Sequence, residues 1–186
     1  MGLTLIKALT ASSSSSLDFV DGTSDVVMDN TYNEYQFQFV NMHPATDSVW
    51  LTFQVNATDD AGGGYDTSQI TSTYFRAYHY ENDSATALEY QTSSDQANGT
   101  AYQRISTNAG NDNDQSVSGV LTLYDPSSTT YVKHFSARSN SAWASDGSFD
   151  THVAGYINDT TAIDEISFKF SSGNIDLGTI YMYGVS

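Results

Sequence analysis

Residues that could bind a metal ion are scattered along this chain of 186 residues. The histidines are His43, His79, His134 and His152. None has a second histidine or a cysteine at the short spacing that protein zinc sites use, and the chain contains no cysteine. The pattern therefore favours ordinary strand or loop histidines over a joint metal site.

The segment NAGNDND at 108–114 is the best candidate for a cation site with oxygen ligands. Asp112 and Asp114 would supply the carboxylates that Ca²⁺ prefers. The EF-hand pattern fails, because Val117 stands where that loop needs glycine and Leu123 where it needs a bidentate glutamate. An Asn/Asp-rich turn is the alternative, and no other cofactor is expected.

Sequence signals for catalysis are absent. The chain has no G-x-S-x-G nucleophile elbow, and a Ser-His-Asp triad could arise only by assembly in the fold. Pairs of acids that could serve a glycosidase occur throughout the Asp-rich loops, so they point to no particular site. The protein is not expected to be an enzyme.

Two segments combine an aromatic ring with a nearby acid, as a sugar-binding surface requires. Trp143 and Asp146 lie in the segment 139–148, which we predict to be a loop, and Tyr65 and Asp66 follow a run of glycines. An aromatic face can stack on a sugar ring while fixed acceptors bind its hydroxyls. The alternative is that Trp143 closes the open end of the fold.

The elements that position these residues are predicted to be strands. Tyr (13) and Phe (9) are abundant with Ser and Thr, whereas Pro (2) and the strong helix formers Glu and Lys are scarce. Tyr35, Phe37 and Phe39 alternate with polar residues, which is the period-2 pattern of a half-buried strand. About ten such runs predict an all-β protein, an antiparallel β-sandwich with a jelly-roll-like topology.

The segment Ala162–Val185 is predicted to hold two strands joined by a tight turn at 171–174. The second strand has apolar side chains on both faces, so we expect it to lie inside a sheet rather than at an edge. Between two earlier strands, His43-Pro44 is predicted to be a connection, because proline cannot donate to a strand ladder.

The chain is predicted to divide into an N-terminal arm, residues 1–16, and one β-sandwich domain, residues 17–186. The arm consists of a short apolar strand, Leu3 to Leu9, and a run of five serines that cannot bury apolar surface. An extended strand can add to a sheet edge of another molecule through main-chain hydrogen bonds. We therefore expect the arm to pair with a neighbouring subunit or with a protein shell.

The formal net charge of −16 limits the partners. A surface this acidic repels nucleic-acid phosphates and anionic lipid, so neither nucleic acid nor a membrane is an expected partner. The apolar run near the N-terminus is too short for a secretory signal or a membrane span. No export signal is therefore predicted.

Five segments resemble a family of small virion structural proteins from tailed phages of marine bacteria. These segments are NMHPATD (41–47), STYFRAYH (72–79), DPSSTTYVKHF (125–135), HVAGYIN (152–158) and FKFSSGNIDLGTIYMYGV (168–185). The similarity extends along nearly the whole chain, and the last segment is its most specific part. The resemblance implies a place in the phage particle and carries over no catalytic residues.

The function expected from this resemblance is that of a decoration or cement protein on the exterior of the phage head. The alternative is a tail-fibre or receptor-binding module that recognises host polysaccharide. The protein would be assembled in the bacterial cytoplasm and would contact other virion proteins, the major capsid or a tail protein.

We also expect the protein to form a homo-oligomer, with a trimer favoured, because aromatic residues are enriched in interface cores. The tyrosines predicted to lie on the non-core strand faces are Tyr74, Tyr78, Tyr80, Tyr131 and Tyr181.

Overall fold

The computed structural model describes residues 2–59, 65 and 68–186. All regular secondary structure in these residues is β-strand. The strands are β1 (Leu3–Thr10), β2 (Leu17–Val20), β3 (Glu34–Pro44), β4 (Leu51–Ala57), β5 (Ile70–Tyr80), β6 (Thr86–Tyr90), β7 (Gln103–Arg104), β8 (Val117–Tyr124), β9 (Lys133–Trp143), β10 (Gly147–Ile157), β11 (Ile163–Phe170) and β12 (Ile175–Val185). The predicted all-β class is confirmed, with twelve strands in the described residues rather than about ten.

The strands form two antiparallel sheets. The eight-stranded sheet has the order β1-β12-β3-β8-β9-β10-β5-β6, and the four-stranded sheet has the order β2-β11-β4-β7. Consecutive strands pair in the large sheet at β5–β6 and along β8–β9–β10, whereas most other connections change sheet. One hydrophobic core lies between the sheets, which confirms the predicted β-sandwich. We call the face of the large sheet that meets this core the inner face, and the opposite face the outer face.

The centre of the core is a group of phenylalanine rings. Phe168 of β11 lies against Phe37 at 5.5 Å, Phe19 at 6.3 Å and Phe53 at 6.5 Å between ring centroids. All four rings are fully buried. These phenylalanines come from both sheets, and each occupies the apolar phase of an alternating strand. The apolar residues of the alternating pattern therefore meet between the two sheets and form the core.

The two strands of the segment Ala162–Val185 do not form a β-hairpin. β11 lies in the small sheet between β2 and β4, and β12 lies in the large sheet between β1 and β3. The predicted pairing across the turn is therefore wrong, and residues 171–174 cross from one sheet to the other. Alternation fixes which residues face the core, but it does not specify which strand is the partner. The predicted interior position of β12 agrees with the structure.

Residues 2–16 are attached to their own chain. β1 pairs with β12 from Leu3 opposite Val185 to Thr10 opposite Thr179. The serine run continues along the same sheet edge, where Ser14 forms a bridge with Ile175. One side of β1 is used by β12, and its other side is an edge of the large sheet. Pairing of this edge with a neighbouring subunit or a shell stays a prediction.

Two predicted connections are parts of strands. β3 continues through His43 and Pro44, opposite β12, where the register shifts between Ile175 and Leu177. Proline is tolerated at strand ends and irregular pairings such as this one. The predicted loop at 139–148 is the β9–β10 hairpin, and its turn is the short stretch 144–146.

Candidate functional site

A row of side chains crosses the outer face of the large sheet in register. Tyr90 on β6 is opposite Phe75 on β5, Phe75 is opposite His152 on β10, and His152 is opposite Arg138 on β9. Neighbouring strands lie about 4.8 Å apart, so this row places three aromatic rings and a guanidinium side by side. We call Tyr90, Phe75, His152 and Arg138 the ring row.

The rings of the row are accessible. Phe75 is 40% exposed and Tyr90 is 50% exposed. The Phe75 and His152 rings are parallel, with an interplanar angle of 4° and centroids 4.9 Å apart. Because apolar rings normally turn toward the core, exposed rings on the outer face mark this region as a candidate binding surface.

Asp150 orients the two polar members of the ring row, Arg138 and His152. Its two oxygens accept hydrogen bonds of 3.0 Å from Nε and Nη2 of Arg138, in a bidentate pair. The second oxygen, Oδ2, also lies 3.3 Å from Nε2 of His152. The hydrogen bonds from Arg138 lower the pKa of the Asp150 carboxyl, partial burial opposes them, and His152 adds a further lowering contribution. A bidentate pair restricts the orientation of both side chains.

Shallow depressions surround the ring row. One, of about 300 Å³, is lined by Phe75, His152 and Arg138 together with the hydroxyls of Thr122 and Ser136. A neighbouring depression of about 420 Å³ shares Arg138 with it. Hydroxyl, imidazole and guanidinium groups beside an exposed ring can hydrogen-bond a polyhydroxylated ligand while the ring contacts its apolar face.

The described residues do not assemble the groups of a hydrolytic or metal centre. His43 bonds the carbonyl of Gln115, and His79 and His152 lie against carboxylates. None of these histidines bonds a serine hydroxyl within the described chain. The same residues contain no group of three or more His, Cys, Asp or Glu side chains that could hold a metal ion, so Asp112 and Asp114 have no third such partner there.

The Trp143 ring packs against other aromatic side chains and does not form an open binding platform. It lies at the end of β9, where its ring stacks on Tyr80 at 4.9 Å and meets the edge of Phe149 at 5.4 Å. Its indole Nε1 is buried. Trp143 thus lies with the aromatic cluster at the end of the inner face, which fits the alternative of a plug better than an open sugar platform. Asp146 occupies the adjoining turn, where its φ is 56°.

The two predicted sugar-binding segments lie at opposite ends of the sandwich. Trp143 is opposite Gly147, the first residue of β10. Tyr65 lies beside Glu165 and Asp18, and burial followed by these two charges raises the pKa of its hydroxyl. It precedes Ile70, which is opposite Ile157 at the far end of β10. At 3.3 Å per residue the length of β10 is roughly 33 Å, so the two segments do not share one site. Asp66 lies outside the described residues.

Three of the five tyrosines predicted on the non-core faces lie on the inner face. Tyr74 is buried, and its hydroxyl bonds the Ser106 carbonyl at 2.8 Å and lies 2.7 Å from Thr107 Oγ1. Tyr78 and Tyr80 stack on each other at 5.3 Å next to Phe149. The assignment of these three to the non-core face is wrong. Tyr131, 69% exposed, precedes β9, and Tyr181 lies on the outer face of β12, stacked on Tyr183.

The ring row was not predicted from the sequence, because Tyr74 was assigned to the outer face of β5. Phe75 is more apolar than Tyr74 and would ordinarily be placed inside. Tyr74 is nevertheless the residue that is buried, because its hydroxyl has hydrogen-bond partners in the interior. A tyrosine whose hydroxyl is hydrogen-bonded packs well in a core. A signal was nevertheless present, because Phe75 alternates in phase with Ala77 and the polar His79.

Comparison with protein-family models, curated proteins and solved structures gives no match. No activity or ligand is therefore transferred to this chain from a relative. Within the described residues, no helix is long and apolar enough to cross a membrane.

Replacing Asp150 with asparagine should lower stability modestly and in a pH-dependent way. Because the folded pKa of Asp150 lies below the ordinary value of 3.8, its contribution is present above about pH 4 and is lost as pH falls through the folded pKa. The pair with Arg138 is partly exposed, so we expect at most about 1 kcal/mol at pH 7. Urea unfolding at pH 7 and pH 3 measures the difference. In an Arg138→Gln background the effect should shrink, and an unchanged effect there would contradict the pairing.

Proposed function

We propose that this protein is a virion structural protein, a decoration or cement protein on the exterior of a phage head. The observation that carries the proposal is exposed apolar surface at both edges of the large sheet. On the β1 edge, Leu3 is 51% and Leu5 is 53% exposed. On the β6 edge, Leu88 is 75% and Tyr90 is 50% exposed. Apolar side chains on an open edge strand are a liability for an isolated monomer and are suited to contacts that become buried in an assembly.

The other features of the molecule suit a protein that occupies a fixed position on the shell of a particle. Two sheets and one core make a compact sandwich whose strands are mostly paired on both sides. The formal charge of −16 gives a surface that remains solvated on the outside of a particle. The family resemblance of the sequence points in the same direction.

The copy number and position of the protein on purified particles test this proposal. Electron microscopy should show many copies on the head surface, with β1 or β6 at the contact. A Leu5→Asp variant should bind undecorated heads at least tenfold more weakly than the wild type, because a charge would be buried in the contact. Leu177→Asp is the matched control, since this exposed leucine lies on β12, which is not an edge strand. A handful of copies at the tail would contradict decoration.

We further propose that copies associate with one another, with a trimer as the expected state. The edge leucines and the exposed Tyr131 and Tyr181 are the surfaces available for this contact. Light scattering at micromolar concentration should give three times the monomer mass. A monomer mass together with isolated subunits on the particle would refute the proposal.

The second candidate is a receptor-binding module for host polysaccharide, and the ring row favours it. A stacked ring with a few hydroxyl hydrogen bonds gives about 4 to 8 kcal/mol, which corresponds to millimolar to micromolar dissociation constants. Attachment would therefore depend on many copies acting together. On a glycan array with multimeric protein, Phe75→Ala should reduce binding about tenfold and Trp143→Ala should not. The reverse result would move the site from the ring row to Trp143.

A further inference from the structure

Two of the six cationic side chains lie together without an acidic partner. Arg76 pairs with Glu89 and Arg138 pairs with Asp150. In contrast, neither Arg104 nor Lys169 forms an ion pair with a carboxylate in the described part of the chain. Lys7 and Lys133 also form no ion pair among the described residues, so Arg104 and Lys169 differ from them in lying together.

Strand register places these two cations on one surface. Arg104 on β7 and Lys169 on β11 are both opposite Thr52 on β4, the strand between them. All three residues lie on the side of the small sheet opposite to the core, where Thr52 itself is buried. They line a cavity of about 360 Å³ together with Ser93 and Ser171. We call this cavity the small-sheet pocket.

Aromatic rings support both cations. The Arg104 Cζ atom lies 4.1 Å from the centroid of the Trp50 ring, and the Lys169 Nζ atom lies 3.8 Å from that of Tyr102. Cation–π contacts of this kind hold a cation in place without neutralising it. The full positive charge of each group therefore remains available to a ligand.

The hydrogen bonds of Arg104 leave part of its guanidinium open. Nη1 donates to the Ser93 carbonyl at 3.2 Å and to Ser94 Oγ at 3.3 Å, whereas Nε and Nη2 have no acceptor among the described residues. A guanidinium edge with unused donors matches the paired oxygens of a carboxylate or sulfate. The acid that also lines the pocket, Asp95, accepts a 2.6 Å bond from the hydroxyl of Tyr90. Two cations and one acid leave an excess of one positive charge.

We infer that the small-sheet pocket binds an acidic sugar residue, with Arg104 and Lys169 on its carboxylate or sulfate group and the serine hydroxyls on its ring hydroxyls. The cavity volume lies at the lower end of the range for small-molecule sites, which suits one or two sugar residues. The site is in the other sheet from the ring row and does not depend on the proposed function. The negative net charge of the protein repels anions in general. Binding of an acidic sugar would therefore be due to the two cations of the pocket and not to nonspecific electrostatic attraction.

Titration followed by NMR signals of the Trp50 indole and the Arg104 guanidinium tests the inference. The probes are a sulfated uronic-acid disaccharide, its unsulfated counterpart, neutral lactose and inorganic sulfate. At least one acidic disaccharide should bind with a millimolar dissociation constant, at least tenfold more tightly than lactose and than inorganic sulfate. Comparison of the sulfated and unsulfated probes shows which anionic group is recognised. Equal binding of inorganic sulfate, or no saturable shift with either disaccharide, would overturn the inference.

Substitutions separate the pocket from general charge effects. Arg104→Gln with Lys169→Gln should weaken binding of the acidic disaccharide at least tenfold, and Lys7→Gln, on β1 of the other sheet, should leave it unchanged. If the double variant does not fold, Lys169→Gln alone serves, because its loss leaves the Arg104–Trp50 contact in place. Arg104→Lys keeps the charge but loses the planar donor edge, so it should bind with intermediate affinity. Wild-type affinity in all of these variants would overturn the inference.

Discussion

Replacing Phe168 with alanine is expected to reduce the free energy of unfolding by about 3 to 5 kcal/mol. Phe168 is fully buried and contacts the rings of Phe19, Phe37 and Phe53. Its removal would open a cavity between the two sheets at a point where both contribute side chains. Domains of this size are stable by about 5 to 15 kcal/mol, so the loss is a large part of the total.

Urea unfolding followed by circular dichroism measures this effect as a shift in midpoint at constant slope. Phe75→Ala is the matched control, since the same side chain is removed from the outer face, where it is partly exposed. We expect a loss of about 1 kcal/mol or less there. Equal losses for the two variants would show that the core does not depend on the phenylalanine group.

Gly119→Ala is expected to cost roughly 3 kcal/mol, although it adds a single methyl group. A Cβ atom at Gly119 would collide with the carbonyl oxygen of Arg138, and would lie 2.7 Å from Ser139 Cα and 2.8 Å from Cε2 of Phe39. Two of these atoms belong to the backbone of β9 and cannot rotate away. The Phe39 ring, which lies against β8 at this point, would have to move out of the core.

Thermal unfolding of Gly119→Ala should show a clear decrease in Tm, whereas Gly2→Ala should leave it unchanged. A Cβ at Gly2 would meet Ser186 Oγ at 3.5 Å, an ordinary contact. Because Arg138 is next to the collision, the Gly119→Ala variant should also disturb the ring row. A variant of wild-type stability would mean that β8 and β9 can separate without cost.

The sequence predicted the fold class well because alternation is a local property. In the run around Tyr35 the apolar residues alternate with polar ones and form the buried phase of β3. Strand partners depend on the whole chain, so the pairing of β11 with β12 was predicted wrongly although both strands were found. The same limit applies to β1, whose partner β12 lies about 170 residues away.

The candidate site was not predictable from residue types alone. Trp143 was selected because it is rare and has polar neighbours, yet its environment is set by Tyr80 and Phe149 on other strands. Arg104 and Lys169 are far apart in sequence, and their common surface arises from the registers of β7 and β11 with β4. Registers of this kind are tertiary information, which no local pattern of the sequence contains.

The position of β12 between β1 and β3 has a consequence for folding kinetics. While a ribosome makes the chain, β1 is without its partner until Ile175–Val185 has emerged, and one edge of β3 stays open for the same period. Contacts so distant in sequence make folding slow, and an unfilled slot between two strands can accept the equivalent strand of another copy. Strand exchange between molecules at high concentration is therefore the misfolding route to which this topology is most exposed, and dilution during refolding should suppress it.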